Sequence, residues 1–351
     1  MASSAALLRR TLVLLSALGA VVLGLGLAQV AAGGKLLTPT APTPGLDNLV
    51  IERAVGAVKV LQPTGTFVDP GRFASMAIVG VVIALAAYPL AGLGLRQRFL
   101  GLCAIGVAVA AIWSTGGRGA LLFGVALVGI AIIATGRAGR RGGGFRRALV
   151  ASVVCGVAVV LIAIALPSTF SSRATYYSAT LDPRLQTNEW AFRWNLYQGE
   201  TLQGIRRGGV IGRGTGSQAL GLQYLFGGAD RSVAGLYKTE AGWGAVGYEW
   251  GLVGVILWAL WCAAWSRRVR GVLRLTRGTS YGPTAVIIVS WITLFLGIQF
   301  IGGKQAFQNY VSNAYFWLLS GIVFGLPQLL KTAAEDESDA EYALSASSAP
   351  P

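Results

Sequence analysis

Eight basic side chains fall between residues 168 and 241: Arg173, Arg184, Arg193, Arg206, Arg207, Arg213, Arg231 and Lys238. Seven are arginine, whose planar fork grips a phosphate through two parallel hydrogen bonds, as a lysine ammonium does not. Before Glu240 the stretch has four acidic residues, Asp182, Glu189, Glu200 and Asp230, which leaves a net charge of +4. That excess suits an anionic ligand; it equally suits anionic lipid headgroups or salt bridges that shape the segment. The chain has no histidine, so the commonest general base near neutral pH is missing and a carboxylate must take any such role. Glu240, at the end of the stretch, is the best placed. It also fits the first turn of the next helix, where negative charge meets the positive end of the dipole.

Other groups are weaker signals. Arg118 stands in the segment STGGRG at 114–119, between glycines that admit close approach of backbone or ligand. It reads as a functional residue or as an interface anchor that snorkels. Glu249, nine residues after Glu240, lies inside an apolar segment and must face the bundle or a polar cavity. GRGTGS at 212–217 is glycine-rich, but no strand and no βαβ frame surround it, so a nucleotide fold is not expected. Its backbone N–H groups remain able to serve an anion. Trp190, Trp194, Tyr197 and Tyr237 can stack on sugar rings or form an interfacial aromatic belt.

The elements that must position these groups are membrane spans. The 351 residues are 54% hydrophobic and only 12% charged, about half the charge of an average soluble domain. Backbone groups in lipid must be satisfied within the segment, so the spans are helices and the expected fold is an all-α polytopic bundle. Eight spans are expected, at about 11–32, 73–94, 99–114, 119–136, 148–166, 242–265, 283–302 and 310–329. The first has a signal-peptide-like start and is read as a retained helix. Five spans make an N-terminal membrane region, 1–167. The loop 168–241 and a three-span region, 242–332, follow, and the acidic tail 333–351 is expected to be disordered. Cys103, Cys155 and Cys262 lie in apolar spans and read as small buried hydrophobes.

Charge gives the orientation. With the N-terminus inside, the inner connections hold Arg9, Arg10, Arg96, Arg98, five arginines at 137–147, five at 267–277, and Lys331. The short outer loops hold only Arg118 and Lys304. This follows the positive-inside rule, puts both termini in the cytoplasm and puts 168–241 outside. Topology therefore explains the inner arginines without nucleic acid, and it leaves the outer ones unexplained.

Four segments, in order, resemble the O-antigen polymerase and O-antigen ligase superfamily. They are TGTFVDPGRFASM, STGGRGALLFGVALVG, FRWNLYQGETLQGIRRGGVIGRGTG and TEAGWGAVGYEWGLVGVILW, spanning about residues 61–258. The resemblance implies a multi-pass enzyme of the bacterial inner membrane, working without metal or other cofactor. Its donor would be a glycan on undecaprenyl diphosphate and its acceptor a second glycan, with polysaccharide-assembly proteins as possible partners. Ligases of this group carry a histidine before the segment that here reads Glu249-Trp250-Gly251-Leu252; this chain has Thr239-Glu240 there, which resembles polymerase-like members. On this resemblance Arg118, Arg193, Arg206, Arg207 and Arg213 would hold the diphosphate. Glu240 and Arg193 would be catalytic, and the four aromatics would stack on sugars. A ligase-type transfer, a transporter of the same lipid-linked glycan and a partner in polysaccharide export are the alternatives.

Overall fold

The computed structural model describes residues 4–34, 36–37, 52–55, 58–67, 70–90, 94–138, 153, 156–157, 164, 167–179, 194, 196–217, 241–300 and 309–347. The protein is an all-α polytopic bundle, with one β-hairpin among the described residues. Among the described residues six helices are long and apolar enough to cross a membrane, and Gly282–Ile298 is a shorter apolar helix. The span expected at 148–166 falls almost wholly outside the described residues.

Helix α1, Ala5–Ala31, is capped by Ser4, whose hydroxyl accepts from Leu7 N. It buries Leu8, Leu12, Ser16, Gly19, Leu23 and Gly26, a stripe at helical spacing, and leaves Leu14, Leu18 and Val21 outward. In a membrane protein such outward apolar side chains face lipid. The hairpin pairs β1, Glu52–Val55, with β2, Val58–Leu61. Helix α2, Pro70–Ala87, is apolar on every side and buries 14 of its 18 residues. It is the hub, touching α1, α3 (Leu95–Ser114), α4 (Arg118–Ala138) and the helices Gly282–Leu294 and Tyr310–Ser347. Glycine makes the central contact possible, because a Cβ at Gly26 would overlap the Phe73 ring.

Helix α5, Pro167–Ala179, and helix α6, Thr201–Gly208, lie within the long segment read as a loop. A π-turn, Leu196–Glu200, leads into α6. Helix α7, Gly242–Leu275, breaks at Gly251, whose φ of 66° and ψ of −164° are not helical. Helix α8, Gly282–Leu294, continues as a π-turn to Gln299, and α9 runs Tyr310–Ser347.

Three expectations change. The basic segment after residue 265 is not a loop but the end of α7, since Arg, Leu and Val continue the helix without a Pro. The tail expected to be disordered from 333 continues α9 to Ser347, because its Ala, Glu and Leu are strong helix formers and no Gly or Pro interrupts them. Cys103 is exposed and Cys262 half-buried, so neither is a core residue; both are free thiols.

The ends of the helices sort into two faces. On one, Gln29 accepts from the amides of Thr64 and Gly65, Gln62 donates to Thr115 O, and Asn309 donates to Ser75 Oγ. Arg72 sits 4.8 Å over the Tyr310 ring on the same face. On the other, Thr284 donates to Ala86 O, and the basic ends of α3 and α7 lie there. Segments 167–179 and 196–217 belong to the first face, called here the loop face.

Candidate functional site

Five of the described arginines of the loop face fall into two groups. Arg206 and Arg207 occupy the last turn of α6, where positive charge suits the carbonyl end of the helix. Arg213 follows in the turn 209–217, and its Nε donates to Arg207 O at 3.1 Å. All three side chains are exposed. The structure thus brings Arg206, Arg207 and Arg213 together as one cationic edge.

What positions this edge is glycine meeting glycine. Gly204, Gly208 and Gly212, four residues apart, lie against Gly244, Gly247 and the Glu249–Gly251 backbone. A Cβ on any of the first three would overlap a carbonyl of α7. Where α7 breaks, turn 209–214 supplies the missing partners. Arg213 N donates to Tyr248 O and Gly214 N to Glu249 O, both at 2.9 Å. In return Leu252 N donates to Gly209 O at 3.0 Å and Val253 N to Val210 O at 3.2 Å. Gly212, Gly214 and Gly216 hold φ of 91°, 99° and 87°, which side chains resist. The glycine-rich turn is therefore a clasp. The amides of Arg213 and Gly214 are already spent on helix carbonyls, and this corrects the expectation that the turn offers them to an anion.

Beneath the clasp Glu249 is buried, as its place in an apolar span requires. Glu200 ends the π-turn before α6, and its Oε2 accepts from Ala241 N, the N-cap of α7, at 3.4 Å. A carboxylate at the start of α7 was expected from Glu240, which lies outside the described residues; Glu200, 41 residues before Ala241, reaches that place.

The second group is built on the turn between α3 and α4. Arg118 opens α4 and is half-buried. Two residues earlier, Gly116 has φ of 66°, and a Cβ there would stand 2.7 Å from Arg173 Nη1. Arg173 comes from α5 and is 1% exposed. Its Nε and Nη1 have no hydrogen-bond partner among the described residues, and neither do Tyr176 OH and Trp113 Nε1. Tyr177 OH donates to Trp113 O at 3.1 Å, and the Trp113 ring stacks on Phe170 at 5.1 Å. Burial pulls the Arg173 guanidinium down to about 10, against the opposing effect of Tyr177 and Tyr176, so it remains charged at neutral pH. Burial likewise pushes the Tyr177 phenol up to about 12, while Arg173 favours its ionisation.

Arg173 was counted among the outer basic residues but was not among those expected to bind. Its signal is the face Phe170, Arg173, Tyr176, Tyr177, at helical spacing within a segment taken for loop. Of the other expected residues, Arg193, Glu240, Trp190 and Tyr237 lie outside the described residues. Trp194 is exposed. Tyr197 falls in the π-turn, and of its side chain nothing is described. No family model matches the chain, and no curated protein or solved structure does either.

Proposed function

We propose that this protein transfers a glycan from an undecaprenyl-diphosphate carrier to an acceptor sugar at the outer face of the bacterial inner membrane, as a polymerase of repeat units. The observation that carries the reading is the cationic edge of Arg206, Arg207 and Arg213, clamped backbone to backbone on the break of α7. A clamped backbone limits how far these cations can stray, which favours preorganisation for an anion as charge develops. The ordered segments that resemble the O-antigen polymerase and ligase superfamily supply the substrate class.

In this reading Arg118, Arg193, Arg206, Arg207 and Arg213 hold the diphosphate and stabilise the charge it gains as the glycosidic bond breaks. An acceptor hydroxyl attacks the anomeric carbon and gives its proton to Glu240. Trp190, Trp194, Tyr197 and Tyr237 stack on the sugars. Both termini are then cytoplasmic, and the loop face is the outer one.

The test is glycan transfer by membranes carrying Glu240→Gln or Arg193→Ala. A lost general base should slow transfer on the order of 100-fold or more. Normal transfer by a stably inserted Glu240→Gln protein removes that role, and normal transfer by Arg193→Ala removes the leading diphosphate ligand.

A non-enzymatic transporter of the same lipid-linked glycan is the second reading. One observation favours it: a helix break within a membrane span, at Gly251, as transporters use around their cargo. Here the chain's own 209–214 backbone fills the break. Donor trapped inside a deletion strain would support the transporter; single repeat units on the surface anchor would support the polymerase.

A further inference from the structure

We propose that Arg173, Tyr176 and Trp113, around the Gly116 turn, form a binding site for a phosphate group, either free or borne by a lipid. The proposal goes beyond the transfer reading, because it concerns binding and holds whether or not the chain transfers a glycan.

The argument begins with unmatched donors. Arg173 Nε and Nη1, Trp113 Nε1 and Tyr176 OH are buried without partners among the described residues. Trp Nε1 and the guanidinium are donors only. Tyr176, Tyr177, Val60 and Trp113 pack as one cluster, and Arg173 interacts with both tyrosines. A buried cation left without an acceptor costs several kcal/mol, and folded proteins ordinarily pair or hydrogen-bond such a group. No acidic side chain is paired with Arg173 among the described residues; its electrostatic neighbours are Tyr176 and Tyr177. A ligand that satisfies these groups must bring negative charge and several acceptor oxygens at once. A phosphate has both, and arginine's fork matches its geometry.

The turn and its place agree. Gly116 has no side chain where one would crowd the guanidinium. The positive φ there bends the chain between α3 and α4, so that Arg173 can lie against the turn. The site sits on the loop face, where two spans leave the apolar layer. That is the level of lipid phosphates, and a phosphate from either source must part the local packing to reach these buried donors.

The experiment uses the purified full-length protein in maltoside micelles and reads thermal unfolding. The probes are inorganic pyrophosphate and, separately, phosphatidylglycerol added to the micelles. A saturable rise in Tm with pyrophosphate identifies a free phosphate as ligand, and a rise with phosphatidylglycerol alone identifies a lipid-borne one. Arg173→Gln should weaken the apparent affinity roughly tenfold or more, as expected for lost charge-assisted hydrogen bonds. Trp113→Phe combined with Tyr176→Phe should weaken it several-fold. The proposal is overturned if neither probe stabilises the wild type, or if Arg173→Gln binds as tightly. If Arg173→Gln does not fold, unchanged affinity in the Trp113→Phe/Tyr176→Phe protein overturns it instead. Phosphate binding by a chain that transfers no glycan would sink the transfer reading and leave this site standing.

Discussion

The segments 201–217 and 167–179 both lie on the loop face, and both carry arginine, but they are fastened by opposite means. The first is held through its backbone. Glycines at 204, 208 and 212 let it touch α7, and four inter-segment hydrogen bonds complete the broken helix. Its arginines are exposed, with Arg213 Nε donating to Arg207 O. The second is held through side chains. Aromatic packing of Phe170, Tyr176 and Tyr177 onto Trp113 and β2 fixes the helix, and the same packing buries Arg173 with donors unmet. The contrast separates two ways of presenting a cation. One is exposed on a rigid frame, cheap to keep and strongly screened by solvent. The other is desolvated, costly to keep and strongly coupled to any anion that reaches it.

The sharpest way to break the first region is Gly208→Ala. The new methyl would overlap the Gly247 carbonyl, and a backbone atom cannot step aside as a side chain end can. A loss of about 2–3 kcal/mol in unfolding free energy is expected from thermal or denaturant unfolding in detergent. Gly199→Ala, which meets no atom within 4 Å, should be neutral or stabilise by up to about 1 kcal/mol. Equal loss in both would mean that the backbone clasp does not set the stability of this segment.

The second region should respond with the opposite sign. Arg173→Met removes a buried charge and keeps most of the volume. Without any phosphate probe the variant should be as stable as the wild type, or more stable by about 1–4 kcal/mol. A large drop in Tm would show that Arg173 is held by its own fold and not left waiting for an anion.

The smallest effect is on alkaline stability. The Tyr177 phenol keeps its proton to about 12 when folded, so the folded chain holds a proton that the unfolded chain releases. Its contribution is present below pH 10 and is lost as pH rises through about 12. Arg173, pulled down to about 10, works the other way, since the unfolded chain binds its proton more tightly and stability rises over the same window. The two oppose each other between pH 10 and 12 in the wild type. Tyr177→Phe should therefore unmask a stability that rises with pH, measured by unfolding at a series of alkaline pH values. A flat profile would break the pairing of the two groups.

Much of this architecture was legible in the residues. The expected spans at 11–32, 73–94, 99–114, 119–136 and 310–329 correspond to helices, because an apolar run of sufficient length needs no distant partner to declare itself. Arg206 and Arg207 were visible as charge out of place. Arg173 was not legible as different from its neighbours, because composition counts a charge and does not say whether it will be buried. The role of GRGTGS was misread for a related reason. Its glycines marked a backbone in unusual conformations, and the same conformations serve an anion or a helix break equally well.

What the sequence determined by itself was thus the class of protein, the position of most spans and the excess of cations between residues 168 and 241. Each of these is a property of neighbouring residues and of their transfer from water to an apolar phase. Only the tertiary structure decided which amides were already spent, which arginine lost its water, and that Glu200 reaches the start of α7. Those outcomes depend on contacts between segments 35 to 64 residues apart in the chain. At such separations hydrogen bonding and desolvation are settled by packing, and no local pattern records the result.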